Sequence, residues 1–219
     1  MDEQEIHIEG DGTVFNGTLA IPGDARGVVV FAHGSGSSRF SKRNRYVAEV
    51  LQTAGLATLL MDLLTVAEER LDAFTGELRF DISLLSERVV TASQWLKRQK
   101  ATAALSIGYF GASTGAAAAL VAAARLGEAI FAVVSRGGRP DLAMRELPQV
   151  KAPTLLIVGG NDAAVIPLNE AAAAELRVEH KLEIIPGATH LFEESGALEA
   201  VARLACDWFI SHRSLASPS

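Results

Sequence analysis

The order of apolar runs along this chain predicts an α/β fold: a mostly parallel sheet with helices on both faces and an antiparallel hairpin at the N-terminus. Three observations carry that prediction. Between residues 27 and 135, short β-branched or Leu-rich runs alternate with longer segments of helical period. Runs such as residues 28–32 and 154–158 are almost continuously apolar, the composition of strands that meet water on neither face. Ahead of them, residues 6–8 and 14–20 flank Gly10-Asp11-Gly12, a turn sequence that would join two strands at one sheet edge.

The elements follow in order. A strand at 28–31 precedes a helical stretch at 43–54, and a strand at 56–61 precedes another at 82–99. A strand at 105–110 leads into an Ala-rich helix over 114–126, with Gly127 suited to its C-cap. Strands at 130–134, 154–158 and 181–185, with helices near 168–176 and 197–211, complete the pattern. A chain of 219 residues is expected to form one domain over residues 1–213, with 214–219 as a disordered tail.

Composition narrows the function classes. With 20 Lys+Arg against 26 Asp+Glu the net charge is −6, which argues against a dedicated nucleic-acid or anionic-membrane binder, since either needs excess positive charge. Cys206 is the only cysteine, so no intrachain disulfide and no cysteine-based zinc cluster can form. The acidic start, Asp2-Glu3-Gln4-Glu5, is unlike a secretory signal, and the longest apolar run, residues 116–124, is about half of the roughly 18 residues a span requires. The expected setting is cytoplasmic, with a small-molecule partner, no nucleic acid and no membrane.

Strand 105–110 runs straight into Gly111-Ala112-Ser113-Thr114-Gly115, a G-x-S-x-G pattern between strand and helix. Such a turn holds a serine in a strained conformation with its hydroxyl outward, and glycines two residues to either side remove Cβ atoms that would collide across the bend. A serine hydroxyl is a weak nucleophile near neutrality, so it needs a base and a carboxylate to orient that base. His190, in the loop between the last strand and the last helix, is the candidate base; His7, His180 and His212 read as surface residues. His33, directly after the first parallel strand, reads as structural, its imidazole bonding loop backbone. Asp162, four residues beyond strand 154–158, is the candidate acid, with Asp141 as its rival and Asp62 as a loop-organising acid. The chain order Ser113, Asp162, His190 differs from the orders of the two best-known protease architectures.

With His33 to Ser37, Gly159 to Asp162 and Gly187 to Phe192, the elbow resembles the α/β-hydrolase superfamily, in its small, minimally lidded, dienelactone hydrolase-like branch. Residues 135–140 resemble bacterial members sometimes fused to phosphoribosyltransferases. Dienelactone hydrolases proper carry Cys at the elbow; Ser113 points instead to ordinary ester chemistry. The resemblance implies a serine hydrolase cleaving small or short-acyl esters through an acyl-enzyme, with neither cofactor nor metal. Its oxyanion hole would use the backbone N–H of Thr114 and of Ser35. Histidine's reference pKa of about 6.5 predicts a rate that falls on the acid side of neutrality.

A short connection after strand 130–134 predicts an open site, with Gly34, Leu63, Leu64, Ile166, Leu191, Phe192 and Arg139 as candidate substrate contacts. Arg39, Lys42, Arg43 and Arg45 crowd a helix start, where the macrodipole disfavours cations. A substrate carboxylate or phosphate, also met by Arg136 and Arg139, would account for them, and so would plain solvated charge. The same triad serves lactonases and thioesterases. Readings from other classes are a catalytically inactive binding module and a dinucleotide-binding module. The latter rests on Gly34-Ser35-Gly36 after a strand with Asp62 closing the next, but position 39 is Arg rather than the third glycine.

Overall fold

The computed structural model describes residues 3–10 and 12–213. Asp11 of the expected turn and the tail expected at 214–219 lie outside the described residues. Eight strands form one sheet in the order β1-β2-β4-β3-β5-β6-β7-β8. They are β1 (Glu3–Gly10), β2 (Thr13–Ala20), β3 (Gly27–Ala32), β4 (Ala57–Met61), β5 (Ser106–Ala112), β6 (Ile130–Arg136), β7 (Thr154–Gly159) and β8 (His180–Ile185). The hairpin β1-β2 is antiparallel, β2 pairs antiparallel with β4, and every pairing from β4 to β8 is parallel.

Period-two alternation sorts each central strand between two cores. In β3, Val28, Val30 and Ala32 join one hydrophobic cluster, and Val29 and Phe31 join the other. The first cluster is closed by α3 (Ile82–Arg98), α4 (Thr114–Leu126) and α5 (Ile166–Glu175), through Leu85, Val89 and Leu96, Ala117 to Ala123, and Ala172. The second is closed by α1 (Lys42–Thr53) and α6 (Ala197–His212), through Val47, Leu51, Val201 and Phe209. Ser41 and Asp81 cap α1 and α3 by accepting the N–H groups of Asn44 and Leu84, a contribution of about 1 kcal/mol each.

One helix has no counterpart in the periodicity. Between β4 and α3 the chain forms α2 (Val66–Thr75) and a short 3₁₀ turn, Leu78–Phe80. Thr65 and Glu68 close a capping box at the start of α2, and Gly76, at φ 67°, ends it. Val66, Leu71 and Phe74 on α2 and Phe80 beyond it are exposed, so the helix is held by its ends more than by a buried face. No helix among the described residues is long and apolar enough to cross a membrane.

Candidate active site

β5 ends at Ala112, and α4 begins two residues later at Thr114. Ser113 makes the turn between them at φ 51°, ψ −122°, a region that costs a non-glycine residue about 1–3 kcal/mol. Gly115 and Gly111 permit the approach: a Cβ on Gly115 would lie 2.2 Å from the Ala32 carbonyl oxygen, and one on Gly111 would lie 2.4 Å from Ala116 Cα. Ser113 occupies the N-cap of α4, yet its hydroxyl does not cap the helix.

His190 and Asp162 come from the ends of β8 and β7. Asp162 Oδ2 accepts a 2.6 Å hydrogen bond from His190 Nδ1, across 28 residues of sequence. The two loops are stitched together by Asn161, whose N–H donates to Ala188 O at 2.9 Å and whose Nδ2 donates to Gly187 O at 2.9 Å. Glu194 completes the frame, accepting the Thr189 N–H and hydroxyl; these bonds hold its carboxyl below the usual carboxylate range.

Ser113 and His190 each border the segment at the end of β6. The Ser113 N–H donates to Arg136 O at 3.2 Å, and Ser113 O accepts from the Arg139 N–H at 3.1 Å. A Cβ on Gly137, between those two anchors, would lie 3.5 Å from His190 Cε1. No hydrogen bond joins Ser113 Oγ to His190 among the described residues. Beneath the loop, Arg136 is buried, with Nη2 reaching Asn44 Oδ1 at 3.4 Å and its guanidinium 5.9 Å from the Phe192 ring centroid. Burial and the neighbouring Arg43 bring its pKa down to about 10, so it remains a cation at neutral pH.

A cavity of about 500 Å³ lies next to the elbow, lined by Thr114 but by none of Ser113, Asp162 and His190. The loop after β3 forms one wall with Gly34, Ser35 and Ser37, Thr114 borders it, and the 62–81 segment supplies Leu63, Leu64, Asp72 and Arg79. Leu85 and Phe40 add apolar surface. Of the expected substrate contacts, Gly34, Leu63 and Leu64 line this cavity, whereas Ile166, Leu191, Phe192 and Arg139 lie outside it. The wall from α2 escaped the sequence reading because its helix carries no apolar stripe; Thr65-Val66-Ala67-Glu68, a capping-box sequence, was the available signal.

Other expected residues have structural partners. His33 Nδ1 donates to Gly34 O at 2.9 Å while Nε2 accepts the Leu63 N–H at 3.2 Å, so the ring ties the β3 loop to the β4 loop as a neutral tautomer. Burial pushes its pKa below the ordinary histidine value, outweighing the Gly34 bond and the charges of Asp62 and Glu69. Asp141 grips Arg139 with two 2.8 Å bonds and makes no hydrogen bond or ion pair with His190 among the described residues. The arginines of the basic cluster are paired within the chain, Arg39 with Asp62 and Glu5, Arg43 with Glu193 and Arg45 with Glu3, whereas Lys42 makes no ion pair among the described residues. Asp62 is thereby committed to Arg39, and α1 starts six residues beyond Gly36, neither of which suits dinucleotide recognition. The Ser35 N–H, expected to face the substrate, donates to Thr114 Oγ1 at 3.0 Å. Among the described residues no group of three or more His, Cys, Asp or Glu side chains is arranged to hold a metal.

Comparison with known proteins agrees with this architecture. The profile of the dienelactone hydrolase family matches residues 15–211. Two Mycobacterium tuberculosis proteins, provisionally named phosphoribosyl transferases, are 57% identical over 217 residues, covering 99% of this chain and 48% of theirs. The chain thus spans about half the length of these curated relatives. A crystal structure described as a dienelactone hydrolase from Anabaena variabilis is 59% identical, with a TM-score of 0.96 over 97% of this chain and 99% of that one. Est1E from Butyrivibrio proteoclasticus, at 17% identity, shares the fold with a TM-score of 0.80 over 95% of this chain and 98% of its own.

Proposed function

Since the chain belongs to the dienelactone hydrolase family and is a hydrolase by that membership, we propose that it cleaves short-acyl carboxylic esters through a covalent intermediate on Ser113. The observation that supports this reading is the 2.6 Å bond between His190 Nδ1 and Asp162 Oδ2, together with a serine held at positive φ in the strand–helix turn. With Nδ1–H given to the carboxylate, Nε2 is the bare nitrogen, the one able to take a proton from Ser113 Oγ. As Oγ adds to the ester carbonyl carbon, the C=O electron pair moves onto oxygen and His190 holds the proton. When the C–O bond to the leaving group breaks, that proton passes to the departing alkoxide. Water then repeats the steps on the acyl-enzyme and frees Ser113.

The substrate is read from the cavity. A space of about 500 Å³ lies within the range of small-molecule sites, and Leu63, Leu64, Leu85 and Phe40 suit a short apolar acyl group. Lactones and thioesters present the same carbonyl to the same three side chains, so acyl-donor preference is a matter of fit. The test is a fluorophosphonate probe together with a panel of p-nitrophenyl esters, thioesters and lactones. Wild type is expected to label and to turn over short esters, and Ser113→Ala to do neither. Labelling or turnover undiminished in Ser113→Ala would sink the proposal.

A further inference from the structure

The Thr114 hydroxyl engages the Ser35 N–H, the backbone donor expected to face the substrate. Thr114 is 3% exposed, opens α4 and borders the cavity, and its Oγ1 accepts the Ser35 N–H at 3.0 Å. Its own hydrogen donates to no acceptor among the described residues. A buried hydroxyl that accepts one bond while its hydrogen is unspent is poised to donate, and the bond it accepts polarises its O–H and strengthens it as a donor. The Thr114 N–H sits in the first turn of α4, where it has no partner within the helix and the helix dipole favours negative charge.

Resting on the serine-hydrolase reading, we infer that the second donor to the oxyanion is the Thr114 hydroxyl, with the Ser35 N–H acting behind it as a relay. When Ser113 Oγ bonds to the carbonyl carbon and the π pair moves to oxygen, that oxygen receives the Thr114 N–H and the Thr114 Oγ1–H together. No proton leaves threonine. When the tetrahedral adduct collapses, the pair returns to the carbonyl and the two hydrogen bonds weaken. Thr114 is a catalytic residue in this account, because its hydroxyl touches the reacting oxygen; Ser35 is a positioning residue.

Thr114→Val removes the hydroxyl but keeps the branched shape and the backbone N–H, and Thr114→Ser restores the hydroxyl alone. With p-nitrophenyl butyrate, kcat is expected to fall about 100-fold in Thr114→Val with KM nearly unchanged, the size typical of losing one oxyanion donor. Thr114→Ser is expected to stay within a few-fold of wild type. Affinity for an aryl trifluoromethyl ketone, which forms the adduct with serine, should drop in Thr114→Val by the same factor as kcat. A Thr114→Val enzyme as fast as wild type, or faster, would overturn the inference, since the hydroxyl would then merely block the Ser35 N–H. An equal loss in Thr114→Ser and Thr114→Val would overturn it too, by assigning the effect to shape. Wild-type turnover that survives Ser113→Ala would instead bring down the hydrolase reading, and this inference with it.

Discussion

At the scale of single residues, the elbow is set by space as much as by chemistry. A methyl group at Gly115 would meet the Ala32 carbonyl at 2.2 Å, so β3 or α4 must shift to admit it. Gly115→Ala is expected to cost about 1–3 kcal/mol, which lowers the melting temperature by roughly 2–10 °C for a chain of this size. Gly23→Ala, where nothing lies within 4 Å, should change it little. His33 contributes a pH dependence of a different kind. Its folded pKa lies below the unfolded value of about 6.5, so the unfolded chain binds the extra proton first. Stability is full above about 6.5 and declines as pH falls from there toward the folded value. The melting temperature should therefore drop between pH 7 and pH 5, and His33→Gln, which can still accept the Leu63 N–H, should flatten that slope.

Among the elements, α2 is the one whose attachment is made by few groups. Asp72, the buried residue of a mostly exposed helix, accepts from Arg79 N–H at 3.1 Å and Nε at 2.6 Å, and Arg79 Nη2 donates back to Asp72 O at 2.9 Å. Burial alone would raise the Asp72 pKa, but the hydrogen bonds and charge of Arg79 outweigh it and hold the carboxyl below its usual range. A depressed carboxyl stabilises the fold above its unfolded value, near 3.9, and that contribution is lost as pH falls through the folded value. Asp72→Asn should lower the melting temperature at pH 7, with the gap to wild type narrowing as pH falls below about 3.9. Because this clasp holds one wall of the cavity, the same variant should raise KM for p-nitrophenyl butyrate more than it lowers kcat. A KM equal to that of wild type would show that the α2 wall is not part of the binding site.

For the whole molecule, the sheet is a partition between two cores that share its strands. Val28 and Val30 face one cluster and Val29 and Phe31 the other, so neither core can open without exposing the back of the other. Trp95 packs against the first cluster and Trp208 against the second, which makes them reporters of the two sides. In urea, Trp95→Phe and Trp208→Phe should each show a fluorescence midpoint that coincides with loss of circular dichroism in the same variant. Separate midpoints would mean that the faces unfold independently. Phe209 is fully buried, edge-on to Phe131 at 5.9 Å, and is not among the residues that line the cavity. Phe209→Ala should cost about 3–5 kcal/mol and leave kcat at 25 °C nearly unaltered.

The amino-acid sequence by itself determined the strand–helix alternation, the antiparallel start and the identity of the serine turn, because each depends on neighbours a few residues apart. Continuous apolar runs declare strands buried on both faces, and G-x-S-x-G between a strand and a helix declares its own bend. The α2 wall was not legible by periodicity, since Val66, Leu71 and Phe74 face outward and leave no apolar stripe to read. The tertiary structure alone decided which partner each polar group takes. Asp162 rather than Asp141 meets His190, the arginines near α1 are consumed by Glu3, Glu5, Asp62 and Glu193, and the Ser35 N–H turns to Thr114. The physical reason is that hydrogen bonds and ion pairs act over a few ångströms of space, and only chain closure brings groups many residues apart within that range.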